Sequence, residues 1–304
     1  LIDLREDLLG LLGSDPSLAG VDRDLKRILD GWFDIALLRL ERLTWSSPAA
    51  LLERLIEYEA VHAIESWDDL KGRLGPGRRC YAFLHPAMPD DPLIFVEVAL
   101  TQGIATFLPA LLDHQQERGD DTRADTAIFY SISNTQAGLR GVTFGNFLLK
   151  RVIDDLKRDF PQLKTFATLS PLPQFAAWLK RTPEALDGLG LTLAQLASGE
   201  WAKDRATARR LRDPLEALAA RYLYSVRQNG RPYDPVARFH LGNGARIERI
   251  NFLADASAKG FKQSCGLMVN YLYDPQEIEQ NVEAYVGEDR IAATAAIRRL
   301  AKNP

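Results

Sequence analysis

Residues 126–171 read TAIFYSISNTQAGLRGVTFGNFLLKRVIDDLKRDFPQLKTFATLSP, and the succession of patterns in them sets the architecture. Thr126 to Ser133 is an apolar, partly alternating run rich in Ile, Phe and Tyr, which predicts a buried strand. A loop follows with Gly138, Gly141 and Gly145, and with Asn134 and Thr135 at its entry. Phe147, Leu148, Val152, Ile153 and Leu156 then recur at helical spacing as far as Phe160, where Pro161 stops the helix. A second short apolar strand, Leu163 to Leu169, ends at Ser170-Pro171. Strand, glycine loop, helix, strand is a unit that can seat a phosphate. Glycines admit close approach to the backbone, and a first helical turn offers unpaired N–H groups and the positive end of the dipole. Arg140 lies in the loop as a charged donor for a phosphate oxygen. The loop is neither G-x-G-x-x-G nor a P-loop with its Lys-Ser/Thr, so on the loop alone a plain connection and a phosphate seat both stand.

On the N-terminal side, residues 1–66 read as helices throughout. Leu4, Leu8, Leu9 and Leu12 share a face, Ser14-Asp15-Pro16 reads as a cap and early-turn proline, and Ser46-Ser47-Pro48 restarts a helix. His62 is the only histidine in this stretch and reads as structural. The texture changes at KGRLGPGRR, so the domain boundary is placed there. Cys80–His85 and Leu93–Leu100 predict a hairpin whose long turn is PAMPDDP, and 113–125 predicts an exposed loop. Beyond the central unit, 173–180 reads as a short helix and 183–226 as an inserted helical segment. Residues 233–273 read as strands, with a hairpin turn at Leu241-Gly242-Asn243-Gly244 and His240 immediately before it. Ser264–Tyr271 reads as a further strand and the tail from Pro275 as amphipathic helix. The expectation is an α+β fold: an all-helical domain over 1–68, then a mixed α/β domain over 69–304 carrying a helical insertion.

The composition limits the function classes. In 304 residues the hydrophobic share is 46%, the charged share 26% and the net charge −3, which describes a globular chain able to build a sizeable core. Nothing in that charge balance calls for nucleic acid or an anionic membrane as partner. The two cysteines, Cys80 and Cys265, have no metal spacing and imply no disulfide framework. No apolar run reaches membrane-spanning length, LIDLREDLLGLL is neither a signal nor a transit peptide, and AKNP is no peroxisomal signal. The expectation is a soluble cytoplasmic protein.

Two residues can carry chemistry. Ser170 ends a strand of the sheet that bears the glycine loop, where ligands of open α/β sheets collect. His240 stands at the mouth of a glycine-flanked turn. Together they can relay a proton. Ser170 also fits an ordinary N-cap before a helix, and His240 a structural histidine.

At these residues the chain becomes familiar. AIFYSISNTQAGLRGVTFGNFLLKRV, ATLSPLPQF, DPVARFHLGNGA, INFLADAS and SCGLMVNY resemble the malonyl-CoA decarboxylase family, as do LERLTWSSP and LGPGRRCYAF nearer the N-terminus. The motifs follow one order along essentially the whole chain. The resemblance implies a bacterial-type carboxy-lyase with an N-terminal helical domain for self-association, as dimer or tetramer, and a GNAT acetyltransferase-like catalytic domain. It places the CoA-binding loop on Arg140, Gly141, Val142, Thr143, Phe144, Gly145 and Asn146, the catalytic serine at Ser170 and the catalytic histidine at His240. Arg140 departs from the glutamine of some relatives, and both residues can donate to a phosphate.

The implied substrate is malonyl-CoA. The implied reaction is loss of CO2 to an enolate that is protonated at C2, with His240 as proton donor. Ser170 would orient the malonyl carboxylate or act in a Ser–His relay, and both roles are open. Backbone N–H groups of Asn134–Gly138 or of the loop after Ser170 are the oxyanion candidates. Asn270 and Tyr271 either line the acyl pocket or simply face inward. The resemblance implies no cofactor and no metal. Two other readings compete: a GNAT-type acyltransferase on the same CoA cleft, and a CoA-binding scaffold without catalysis.

Overall fold

The structure is a computed structural model that describes all residues except 60, 114–120, 143–147 and 303–304. In chain order it begins with α1 (Ile2–Leu11), α2 (Ala19–Trp32), β1 (Arg39–Leu43), α3 (Ala49–Tyr58) and α4 (Trp67–Arg73). Next are β2 (Arg78–His85), β3 (Met88–Thr101), α5 (Leu108–Leu112), β4 (Thr126–Asn134), α6 (Leu148–Asp159), β5 (Thr165–Thr168) and β6 (Ser170–Pro171). Helix α7 (Phe175–Arg181) is the predicted short helix, and α8 (Leu193–Ser198) and α9 (Arg205–Tyr224) lie in the predicted insertion. A two-residue ribbon, β7 (Arg227–Gln228) and β8 (Arg231–Pro232), precedes α10 (Pro235–Gly242), β9 (Arg246–Asn251) and α11 (Ala258–Ser264). The chain closes with β10 (Met268–Tyr273), α12 (Ile278–Glu288) and α13 (Ala295–Leu300). The fold is mixed α and β with helices leading, as the composition and patterning predict. Among the described residues, no helix is long and apolar enough to cross a membrane.

The chain forms two compact units: residues 1–99 with 131–159, and residues 100–130 with 160–304. In the first, β1, β2 and β3 run antiparallel, with Leu43 opposite Cys80 and Cys80 opposite Glu97. Leu51, Leu52 and Leu55 of α3 and Leu70 of α4 pack with Cys80, Ala82 and Phe95 in one buried cluster. Helix α6 turns Leu149, Val152, Ile153 and Leu156 inward. Its Arg151 guanidinium lies over the Phe83 ring at 5.6 Å and donates to the Leu38 carbonyl at 2.8 Å.

In the second unit β4 pairs parallel to β5, Thr126 with Thr165 through Phe129 with Thr168, as the strand–helix–strand reading requires. Strand β10 runs antiparallel to β5 and β6 on one edge and to β9 on the other. Phe175, Trp178 and Tyr222 form an aromatic cluster of tilted and edge-on rings with centroids 5.3–5.8 Å apart, which anchors α7 to α9.

Several local expectations change. Residues 1–66 are not helical throughout: Arg39–Leu43 is a strand. Leu38, Leu40 and the intervening Arg39 alternate, and backbone pairing to β2 wins over helical propensity. The turn of the β2–β3 hairpin is Pro86-Ala87, and most of PAMPDDP belongs to β3 through two register shifts. The predicted hairpin at 241–244 is the end of α10, because Asp234-Pro235 is an N-cap followed by proline at the first helical position. Its glycines serve the exit, where Gly244 takes φ +85°. Ser264 ends α11 rather than opening a strand. Ser170 caps no helix: it is in β6, and the N-cap of α7 is Gln174.

Candidate active site

Helix α10 exists to hold one imidazole. Asp234 Oδ1 accepts from the Val236 and Ala237 amides at 2.9 and 3.0 Å, and its other oxygen accepts from the Tyr222 hydroxyl at 2.8 Å. Burial raises the Asp234 carboxyl above its usual range, against the pull of these donors. The cap starts the helix so that His240 falls in its last turn on the inward face, 3% exposed. The His240 ring stacks on Tyr271 with centroids 4.5 Å apart, and Phe239 meets it edge-on at 5.2 Å.

The second half of the site comes from a broken ladder. Strand β10 pairs with β5 at Leu272–Ala167 and Tyr273–Phe166, and with β6 at Met268–Pro171 and Val269–Ser170. Between these pairs the backbone bonds of Thr168 and Leu169 go elsewhere. The Tyr271 amide donates to the Thr168 hydroxyl at 3.1 Å, Asn270 Nδ2 donates to the Thr168 carbonyl at 2.6 Å, and the Leu169 amide donates to the Phe129 carbonyl at 3.1 Å. Asn270 is itself braced by Asn251 Nδ2 at 2.8 Å. On the other edge, the β9 register shifts between Asn270 and Tyr271, whereas the register toward β5 and β6 is the same on both sides of the gap. Side chains thus replace ladder bonds at a break between β5 and β6, and Ser170 opens β6 just beyond that break.

Ser170 Oγ lies 3.1 Å from His240 Nε2 and donates to the Thr168 hydroxyl oxygen at 2.9 Å. His240 Nδ1 lies 2.7 Å from the Tyr273 hydroxyl. Burial alone pushes the His240 pKa down to about 3, so the ring is neutral near pH 7. One assignment satisfies every partner. With the Ser170 proton on Thr168, Ser170 Oγ accepts from Nε2–H, and Nδ1 accepts from Tyr273. Burial also raises the Tyr273 phenol well above its usual value, which keeps that donor protonated. A phenol therefore sits on Nδ1 where a catalytic triad of hydrolases has a carboxylate.

Ser170 and His240, the residues singled out in the sequence, lie side by side, which the sequence alone does not show. Thr168 and Tyr273 were missed. The signal was the strand period of two, which puts Thr168 on the face of Ser170 and Tyr273 on the face of Tyr271. Tyr271 is packed against the imidazole, and Asn270 bonds the Thr168 carbonyl at the break. Arg140, Gly141 and Val142 lie in the first unit, with Arg140 and Gly141 exposed and Val142 buried. Thr143, Phe144, Gly145 and Asn146 fall outside the described residues. Of the oxyanion candidates, Thr135 already spends its amide on the Leu93 carbonyl. No group of three or more His, Cys, Asp or Glu side chains arranged to hold a metal occurs among the described residues.

Comparison with known proteins agrees along the whole chain. Residues 36–304 match the malonyl-CoA decarboxylase C-terminal domain, and residues 1–33 match the malonyl-CoA decarboxylase N-terminal domain. Mitochondrial malonyl-CoA decarboxylase of Rattus norvegicus is 40% identical over 99% of this chain and 67% of its own length. That of Anser anser anser is 39% identical over 98% and 65%. The chain thus spans about two thirds of the length of these curated relatives. The crystal structure of malonyl-CoA decarboxylase from Rhodopseudomonas palustris superposes with a TM-score of 0.91 at 47% identity, covering 98% of this chain and 74% of that one. The enzyme from Agrobacterium vitis superposes with a TM-score of 0.89 at 46% identity, covering 100% and 76%. The chain belongs to the malonyl-CoA decarboxylase family.

Proposed function

We propose that this chain performs its family's reaction, converting malonyl-CoA to acetyl-CoA and CO2, with Ser170 and His240 as the proton-transfer pair. The observation that carries the residue assignment is the 3.1 Å approach of Ser170 Oγ to His240 Nε2. The electron pair of the bond between C2 and the malonyl carboxylate passes into the thioester, the carboxylate departs as CO2, and the enolate takes one proton at C2. The thioester is its own electron sink.

Both His240 nitrogens are engaged, Nε2 by Ser170 and Nδ1 by Tyr273. That favours the relay over direct donation from the ring. The Ser170 hydroxyl rotates from Thr168 to the substrate and gives its proton to C2. Nε2–H refills Oγ as the Tyr273 proton passes to Nδ1, and one solvent proton taken up at Oγ then runs the same two shifts back, restoring the phenol and the Nε2–H tautomer. A thioester enolate is a stronger base than alkoxide, imidazolate or phenolate, so neutral donors suffice and a histidine with a pKa near 3 is no obstacle. Arg140, Gly141 and Val142 open the loop that seats the coenzyme A phosphates, the exposed Arg140 guanidinium being suited to a phosphate oxygen. Residues 1–68 serve self-association, a reading supported by the exposed apolar side chains Leu4, Leu11, Val21, Ile28 and Trp32 on α1 and α2.

Acetyl-CoA and CO2 formation by wild type, Ser170→Ala and His240→Ala tests the assignment. Each variant is expected to lose about a hundredfold or more in turnover while calorimetry shows coenzyme A still bound. Wild type that binds coenzyme A but releases no CO2 would overturn the activity. Variants as active as wild type would remove the pair from the mechanism.

A further inference from the structure

One side chain of the N-terminal helices reaches the turn that leads into the proposed coenzyme A loop. Arg5 of α1 is 2% exposed, and its Nε donates to Asp22 Oδ1 on α2 at 2.8 Å. Its Nη1 donates to two main-chain carbonyls, Gly138 at 2.6 Å and Arg140 at 2.9 Å. The approach is close: a Cβ on Gly138 would overlap the Ile2 carbonyl of α1. A buried guanidinium has five donors in a rigid fork, so two carbonyls bound to one nitrogen are held in fixed directions.

Those directions have a chemical result. In a trans peptide the C=O and N–H point to opposite sides of one plane. With its carbonyl held on Arg5, the Arg140–Gly141 peptide turns the Gly141 N–H away from α1. Gly141 is exposed and takes φ +76°, a conformation that glycine adopts at little cost. Lys26 of α2 stands beside it, its Cε 3.6 Å from where a Gly141 Cβ would be, with Nζ 2.7 Å from Asp30. An outward amide with a cation beside it is an arrangement that favours an anion.

We infer that Arg5 is a positioning residue for coenzyme A: it fixes the 138–141 turn so that the Gly141 amide faces a phosphate of the substrate. The inference rests on the reading of the loop from Arg140 as the coenzyme A seat. Arg5 itself touches no substrate. The N-terminal helices would then serve substrate affinity as well as any role in assembly.

Two thioesters separate this from a merely structural role: malonyl-CoA, and malonyl-N-acetylcysteamine, which has the same reacting end and no phosphates. In the full chain, Arg5→Ala is expected to raise KM for malonyl-CoA about tenfold or more with little change in kcat. Its kcat/KM for malonyl-N-acetylcysteamine should stay at the wild-type value. Arg5→Lys, which keeps the charge but has no second nitrogen to hold Asp22 and no rigid fork to fix the direction of its bonds, should fall between, and it is the variant to read if Arg5→Ala does not fold. Equal losses on both thioesters would make Arg5 structural and overturn the inference. Gly141→Asp, which sets a carboxylate where the phosphate would lie, tests the underlying loop. If it leaves KM for malonyl-CoA unchanged, the loop is not the coenzyme A seat. If it raises that KM while the Arg5 variants behave as wild type, the loop stands and the role of Arg5 falls.

Discussion

His240 shows what burial alone does to an imidazole. The ring has lost its ability to take up a proton near neutrality, and in return it carries a fixed tautomer between a phenol and a serine. The same burial makes folding sensitive to acid. An unfolded histidine titrates near 6.5 and the folded one near 3, so in that window only the unfolded chain takes up the proton. The contribution is complete above the unfolded value and is lost as pH falls toward the folded one, at about 1.4 kcal/mol per pH unit. Between about pH 6 and about pH 4, urea unfolding should therefore show a steeper loss of stability for wild type than for His240→Gln. Parallel curves would mean that the imidazole is charged in the folded protein.

At the scale of the element, α10 stands or falls with Asp234. This residue is fully buried and serves two amides and the Tyr222 hydroxyl. Asp234→Ala removes the cap, worth about 1–2 kcal/mol, and strands a buried hydroxyl, worth about 1–3 kcal/mol more. Asp234→Asn keeps an acceptor for the amides and should lose much less. Denaturant titration of the two variants checks this, and an Asp234→Ala protein within about 0.5 kcal/mol of wild type would mean that the cap is dispensable. Because His240 lies six positions after the cap, turnover should fall in the same order as stability.

At the scale of the whole molecule, the self-association inferred for residues 1–68 predicts a particle mass in sedimentation equilibrium that is a multiple of 34.0 kDa. Trp32→Glu, which charges the exposed apolar face, should shift it toward the monomer, and a wild-type monomer at all concentrations would sink the idea. Much of the architecture was readable because it is local. The periodicities of 126–171 gave β4, α6 and β5 directly, and their parallel pairing follows from the unit itself. What was misread had two competing signals: Asp234-Pro235 announces a helix inside a stretch whose alternation suggests strands, and β1 is only five residues long. At the site, Ser170 and His240 could be named because each stands in a distinctive motif. Thr168 and Tyr273 acquire their roles only when β10 meets β5 and β6 across the break, and that register is set by residues far apart in the chain.

The break in the ladder has a consequence in time as well as in space. At Tyr271 the strand amide is held by a hydroxyl, Thr168 Oγ1, while its neighbours in β10 are held by the backbone of adjoining strands. A ladder bond opens only with its strands, but a side-chain bond can open by a single rotation. Thr168→Val should therefore release one amide proton to exchange with deuterium, that of Tyr271, and leave the rest of β10 protected. Loss of protection along the whole strand would show that this threonine holds the sheet together rather than one point in it. If the single amide is released, the hydroxyl that holds Ser170 also holds one point of the strand, and a point substitution can free both without rebuilding the fold.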